Sequence, residues 1–192
     1  QTYTVDTATM GTFWGWQQTL GQSAADVNRL YVLGASDSVS TNGGQSWAPT
    51  GFNAPDNFVW NPFRNSIVDP ANPSVLWYGL AQSWSGEYPG TIKKYNAQTR
   101  TVTNVTNTMP FTVAGWETYP VSGSPGTYAI RVIGQDGRLA TSTNSMASFS
   151  VQSGPINPLG GCAARMVTSL ASNRNVILTA CEGNTEVALS LD

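Results

Sequence analysis

The apolar residues of this chain arrive in short runs separated by small polar turns. Asn28-Arg29-Leu30-Tyr31-Val32-Leu33-Gly34 is one such unit, and Asp69-Pro70-Ala71-Asn72-Pro73-Ser74-Val75-Leu76-Trp77-Tyr78-Gly79 is a second. Tyr128-Ala129-Ile130-Arg131-Val132-Ile133-Gly134 and Asn175-Val176-Ile177-Leu178-Thr179-Ala180 complete the set. Runs this short, rich in β-branched and aromatic residues and closed by Gly or Ala, predict strands. Their starts recur at about 50 residues, the length of a four-stranded sheet with its connections. Thr91-Ile92-Lys93-Lys94-Tyr95 and Thr99-Arg100-Thr101-Val102-Thr103 alternate in polarity across Asn96-Ala97-Gln98, which predicts a hairpin with Lys93 and Lys94 on a solvated face. Gly (19) and Pro (11) interrupt the chain too often for a helix.

Turn chemistry adds a second repeat. In Ser40-Thr41-Asn42-Gly43-Gly44-Gln45-Ser46-Trp47 a hydroxyl and an amide two residues apart can bond their own backbone, Gly43-Gly44 supplies positive φ, and Trp47 covers the turn. Ser142-Thr143-Asn144-Ser145-Met146-Ala147-Ser148-Phe149 repeats the pattern with Met146 in place of Gly44, so the backbone there is strained if that position needs φ above zero. Ser190-Leu191-Asp192 begins a third copy.

These segments resemble the Asp-box, S-x-D-x-G-x-T-W: Ser40, Gly44 and Trp47 stand unchanged, Ser46 replaces Thr and Asn42 replaces Asp. Asp69 to Gly79 is similar to the D-P-x-N-P-x-x-L-Y-x-G strand opening of sialidase, sortilin and xyloglucanase propellers. The resemblance implies an all-β β-propeller of about four four-stranded blades, with residues 1–192 as a single domain. Either the chain is a small complete ring, with Thr2-Tyr3-Thr4-Val5 supplying the missing outer strand, or it is part of a larger propeller that a homo-oligomer would complete. In those families the box stabilises the fold, so none of its residues is placed in a site; Trp47 and Trp77 are expected to seal blades.

Composition narrows the setting. Charged residues make up 10% of the chain and the net charge is −2, with no basic cluster beyond Lys93-Lys94, so neither nucleic acid nor an anionic membrane surface is an expected partner. No apolar run reaches the roughly 18 to 20 residues that span a bilayer. The start at Gln1 resembles a mature secreted end, and Ser/Thr/Asn/Gln richness with a single cysteine pair predicts an extracellular protein. Cys162 and Cys181 are expected to form a disulfide, and Asn104-Val105-Thr106 is a glycosylation sequon. With no His in the chain, Ser-His-Asp and Cys-His catalysis and a zinc or copper site are not expected, and no cofactor is.

Carboxylates remain for acid–base work. Asp56, Glu87 and Glu117 sit in aromatic, Gly- or Pro-rich segments read as loops, where an aromatic neighbour can desolvate a carboxyl and raise its pKa. A pair of them across a cleft would make a glycosidase; the competing reading has Glu87 and Glu117 accepting backbone hydrogen bonds. Trp16, Trp60, Trp84 and Trp116, with Arg64 beside Trp60, are candidates for stacking on sugar rings. Arg64, Arg131 and Arg165 invite comparison with the arginine triad of sialidases, but no R-I-P start surrounds any of them. The expected function is a secreted propeller that recognises an oligosaccharide or polysaccharide. A glycoside hydrolase using a pair from Asp56, Glu87 and Glu117 is the alternative, and a protein-interaction propeller like the sortilin ectodomain is the third.

Overall fold

The computed structural model describes residues 19–33, 38–50, 66–79, 90–105, 109–154, 164–169, 173–174, 177–181 and 187–190. Strands that follow one another in the chain are neighbours in each of four sheets, three with four strands and the last with three among the described residues. This repeated meander is the blade topology of a β-propeller, and the fold class is all-β as the residue pattern requires. The apolar runs of the sequence form the second strand of every sheet. Contacts group the chain into two compact units, Gln1–Tyr78 with Lys93–Thr103, and Gly79–Ile92 with Asn104–Asp192.

In the first unit, β1 (Thr19–Ser23), β2 (Asp26–Leu33), β3 (Ser38–Ser40) and β4 (Ala48–Pro49) form one sheet, with antiparallel ladders. β5 (Ser66–Val68), β6 (Val75–Gly79), β7 (Ile92–Asn96) and β8 (Thr101–Asn104) follow in order, all in this unit but for the strand-end residues Gly79, Ile92 and Asn104. The turn into β6 is built by one buried carboxylate. Asp69 Oδ1 accepts from the amides of Ala71 (2.9 Å) and Asn72 (3.0 Å), and Oδ2 accepts from Trp77 Nε1 (2.8 Å). Trp77 is thereby held in the interior, 4% exposed. The hydroxyls of Ser23 and Tyr31 donate to the carbonyls of Asp69 (2.7 Å) and Pro73 (2.7 Å), locking the β1–β2 hairpin onto that turn. Gly21 is required there, because a Cβ would lie 2.6 Å from Val68 Cγ2.

The predicted hairpin is β7–β8, turned by Asn96 Oδ1 accepting from the amides of Gln98 (2.9 Å) and Thr99 (3.3 Å). One detail differs from the sequence reading. Lys93 is buried rather than solvated, and desolvation pushes its ammonium below the ordinary lysine range. Alternation alone does not show whether the polar face of a strand is itself covered. Lys94 lies over the Trp77 ring, Nζ 5.4 Å from its centroid, so the long stem shields the indole.

In the second unit, β9 (Val113–Pro120), β10 (Tyr128–Gly134), β11 (Leu139–Ser142) and β12 (Ser150–Val151) make an antiparallel sheet, followed by β13 (Ala164–Ser169), β14 (Ile177–Cys181) and β15 (Val187–Ser190). Every residue of β10 after Tyr128 is buried, as a continuous apolar run demands. Ala114, Ile133, Leu139, Val167 and Ile177 pack together as a core cluster.

Both eight-residue turns close as the sequence predicts. Ser40 Oγ donates to Asn42 Oδ1 (2.9 Å) and accepts from Gly44 N (2.9 Å), while Asn42 Oδ1 also accepts from Ser46 N (2.9 Å) and Asn42 Nδ2 donates to Ser46 Oγ (2.8 Å). Trp47 Nε1 donates to Gly44 O (3.1 Å). The second turn repeats the set through Ser142, Asn144, Met146 and Ser148. Met146 takes φ 62° and Ser145 φ 51°, so the strain anticipated at Met146 is present.

Candidate functional site

Arg131 is the one charge inside the buried run of β10, and a charge there must be compensated. The β9–β10 register sets Glu117 directly opposite it. Arg131 Nη1 donates to Glu117 Oε2 at 3.1 Å, with the side chains 8% and 9% exposed. Taking such a pair out of water costs several kcal/mol per ion, so its remaining polar atoms need partners too. Glu117 Oε1 accepts from Ser169 N (2.7 Å) and Ser169 Oγ (2.6 Å) at the end of β13. Arg131 Nη2 donates to the Tyr119 hydroxyl (3.0 Å) and to the Arg174 carbonyl (3.1 Å).

Arg174 extends the cluster outward. Its Nη1 donates to Ser169 Oγ (3.3 Å) and lies 3.9 Å from Glu117 Oε1, while 31% of its side chain remains exposed. The guanidinium carbons of Arg131 and Arg174 lie 4.8 Å and 5.1 Å from the centre of the Tyr119 ring, within cation–π range. A half-exposed tyrosine thus sits among two guanidinium groups and one carboxylate. Each charged side chain is fixed by more than one contact, so little rotamer freedom remains to be lost on binding.

The sequence pattern places Trp116 and Glu117 in a loop; the structure puts them in the middle of β9. Gly115 and Pro120 resemble loop punctuation, but the segment pairs with β10 over Val113 to Pro120. Strand alternation then turns Trp116 and Glu117 to opposite faces. The buried Trp116 Nε1 has no hydrogen-bond partner among the described residues, and neither has Arg131 Nε. Both Glu117 oxygens serve as acceptors of fixed donors, which makes it the anchor of the cluster and matches the competing reading of this acid. Asn104 is exposed at the end of β8. Cys181 ends β14, whereas Cys162, Asp56, Glu87, Trp16, Trp60, Trp84 and Arg64 lie outside the described residues.

The sequence pattern does not single out Tyr119, Ser169 or Arg174, and it offers Arg131 only as part of an arginine set. The signal for Arg131 was present: a lone charge within Tyr128-Ala129-Ile130-Arg131-Val132-Ile133-Gly134 calls for an acid on a neighbouring strand. Among the described residues, no group of His, Cys, Asp and Glu is placed to hold a metal ion, and no helix is long and apolar enough to cross a membrane.

No family model matches the chain, and no curated protein matches it in sequence. Among solved structures it is similar to the GH74 enzyme of Niastella koreensis, at 18% identity over 89% of this chain and 29% of that one, with a TM-score of 0.49. It is also similar to YCF48 bound to D1 peptide (14% identity, 90% of this chain, 55% of that chain, TM-score 0.49). A third similar structure is YCF48 from Cyanidioschyzon merolae (12% identity, 91% and 59% of the two chains, TM-score 0.47). The chain spans less than two thirds of the length of each of these neighbours.

Proposed function

We propose that this chain is a secreted, glycan-recognising propeller domain of the Asp-box type, and that it reads its ligand through Tyr119 and Arg174, with Arg131 holding the Tyr119 hydroxyl in place. The carrying observation is the half-exposed Tyr119 ring with the partly exposed Arg174 guanidinium beside it, both braced by buried partners. A sugar offers hydroxyl oxygens to guanidinium N–H donors and an apolar C–H face to an aromatic ring, and this arrangement supplies both contacts in a fixed geometry. Because Glu117 spends both oxygens holding Arg131 and Ser169, recognition is favoured over hydrolysis by a pair that includes Glu117. In this reading Asn104 carries a glycan and Cys162 pairs with Cys181.

A glycan array probed with the intact chain and with Arg174→Ala tests the proposal. Loss of a guanidinium hydrogen bond to ligand should weaken the wild-type hits by about tenfold or more, the equivalent of roughly 1.5 to 3 kcal/mol. The circular dichroism spectrum should not change. A folded wild-type protein that retains no glycan would overturn the reading.

A further inference from the structure

The cluster is unbalanced in charge and in hydrogen-bonding character, and both imbalances have the same sign. Arg131 and Arg174 bring two positive charges, and among the described residues Glu117 is the acid paired with either of them. The Glu117 oxygens are taken by Arg131, Ser169 and Arg174. What the outer part of the cluster offers is therefore donors. Arg174 uses Nη1 internally, and its other N–H groups have no partner among the described residues. The Tyr119 hydroxyl accepts from Arg131 Nη2, so its own hydrogen is directed elsewhere.

We infer that the glycan bound here is acidic, and that a carboxylate on a uronic acid unit docks between the Arg174 guanidinium and the Tyr119 hydroxyl. This rests on the glycan-binding reading and sharpens it. A planar guanidinium fork presents parallel N–H groups at the spacing of two carboxylate oxygens, and a phenol O–H adds a third donor. A neutral sugar, whose hydroxyls both donate and accept, leaves the extra positive charge without a counterion. A carboxylate neutralises it beside buried groups, where the attraction exceeds its value in water. Arg131 positions Tyr119 from behind and does not itself need to touch the ligand.

The test is titration calorimetry of the intact chain with oligosaccharides of galacturonic, glucuronic and mannuronic acid, each matched with its carboxyl-reduced neutral twin. An acidic member should bind about tenfold or more tightly than its twin, with the preference shrinking as salt rises from about 0.05 to about 0.5 M. Arg174→Gln should remove the preference, bringing the acidic member down to the affinity of its neutral twin, and Tyr119→Phe, which keeps the ring, should reduce it in part. Equal affinity for acid and neutral forms would overturn the carboxylate assignment and leave glycan binding standing. So would equal binding of a sulfated oligosaccharide, since the Arg174 and Tyr119 donors would then read charge without the carboxylate plane. Failure of acidic and neutral sugars alike, with an acidic peptide bound instead, would overturn both readings together.

Discussion

The two eight-residue turns make the same bonds with different residues at their tightest point. In both, a buried Ser hydroxyl accepts the amide four residues on, at 2.9 Å for Gly44 and 3.0 Å for Met146, and an Asn amide bridges to a second Ser. In the first turn, Gly43 and Gly44 take φ 70° and 89° at no steric cost. In the second, Ser145 and Met146 take φ 51° and 62°, a conformation that costs an L-residue about 1 to 2 kcal/mol. The difference shows that the Ser and Asn side chains define this turn, and that glycine only makes it easy. What offsets the strain is the Met146 side chain, 1% exposed. The first turn closes its interior differently: a Cβ on Gly44 would lie 3.5 Å from Leu30 Cδ1 and 3.8 Å from Trp47 Cζ2, so existing side chains already close that space.

Met146→Ala is expected to break the comparison most severely. It keeps the strained backbone and deletes the buried side chain that offsets it, a loss of about 2 to 5 kcal/mol. For a chain of this size the melting temperature should fall by about 2 to 4 °C for each kcal/mol. Met146→Gly removes the same side chain but relieves the φ strain, so it should be less harmful than Met146→Ala by about 1 kcal/mol in urea titrations. If the two variants were equally stable, the strain argument would be wrong.

Removing the hydroxyl comes next. Ser142→Ala strands the buried Met146 amide and takes one of two donors from Asn144 Oδ1, which keeps Ser148 N, for a loss of about 1 to 3 kcal/mol. Ser40→Ala should fall at the lower end of that range, because the Gly44 amide is only partly buried and water can replace the hydroxyl. Equal losses would mean that burial of the amide is not what separates the turns.

These turns were legible in advance because every partner lies within four residues, and local spacing is what a sequence displays. The same holds for the Asp69 turn and for the β7–β8 hairpin. The Glu117 cluster was legible only in part, since Glu117 and Arg131 are joined by a strand register set across the loop between β9 and β10. Ser169 reaches Glu117 from 52 positions away, through the packing of β13 against β9. Residue type marked Glu117 as notable, but the contacts that define its role come from tertiary packing, and Gly115 and Pro120 disguised the strand that carries it.

Gly44→Ala probes the glycine without altering the bonds. The added Cβ meets only ordinary contacts, so its cost should be the backbone term alone, about 1 to 2 kcal/mol, placing the first turn in the state Met146 already occupies. A much larger loss in thermal denaturation would show that the first turn depends on glycine for space as well as for φ.

Asn42→Asp carries the smallest effect and has the opposite sign. With a carboxylate at this position, Ser40 Oγ and Ser46 N keep their acceptor, and the Ser46 hydroxyl, now accepting from Asn42 Nδ2, can rotate to donate to the second oxygen. Every bond survives and three become charge-assisted, which at this exposed position should raise stability by a few tenths of a kcal/mol to about 1 kcal/mol. The gain should shrink with added salt, as an exposed charge requires. Asn144→Asp should behave alike, because Ser142 and Ser148 present the same three groups to it. A stabilised first turn beside an unchanged second one would mean that the strained backbone at Ser145 and Met146 cannot draw its donors closer to the added charge, and the two turns would then differ in stiffness as well as in residue type.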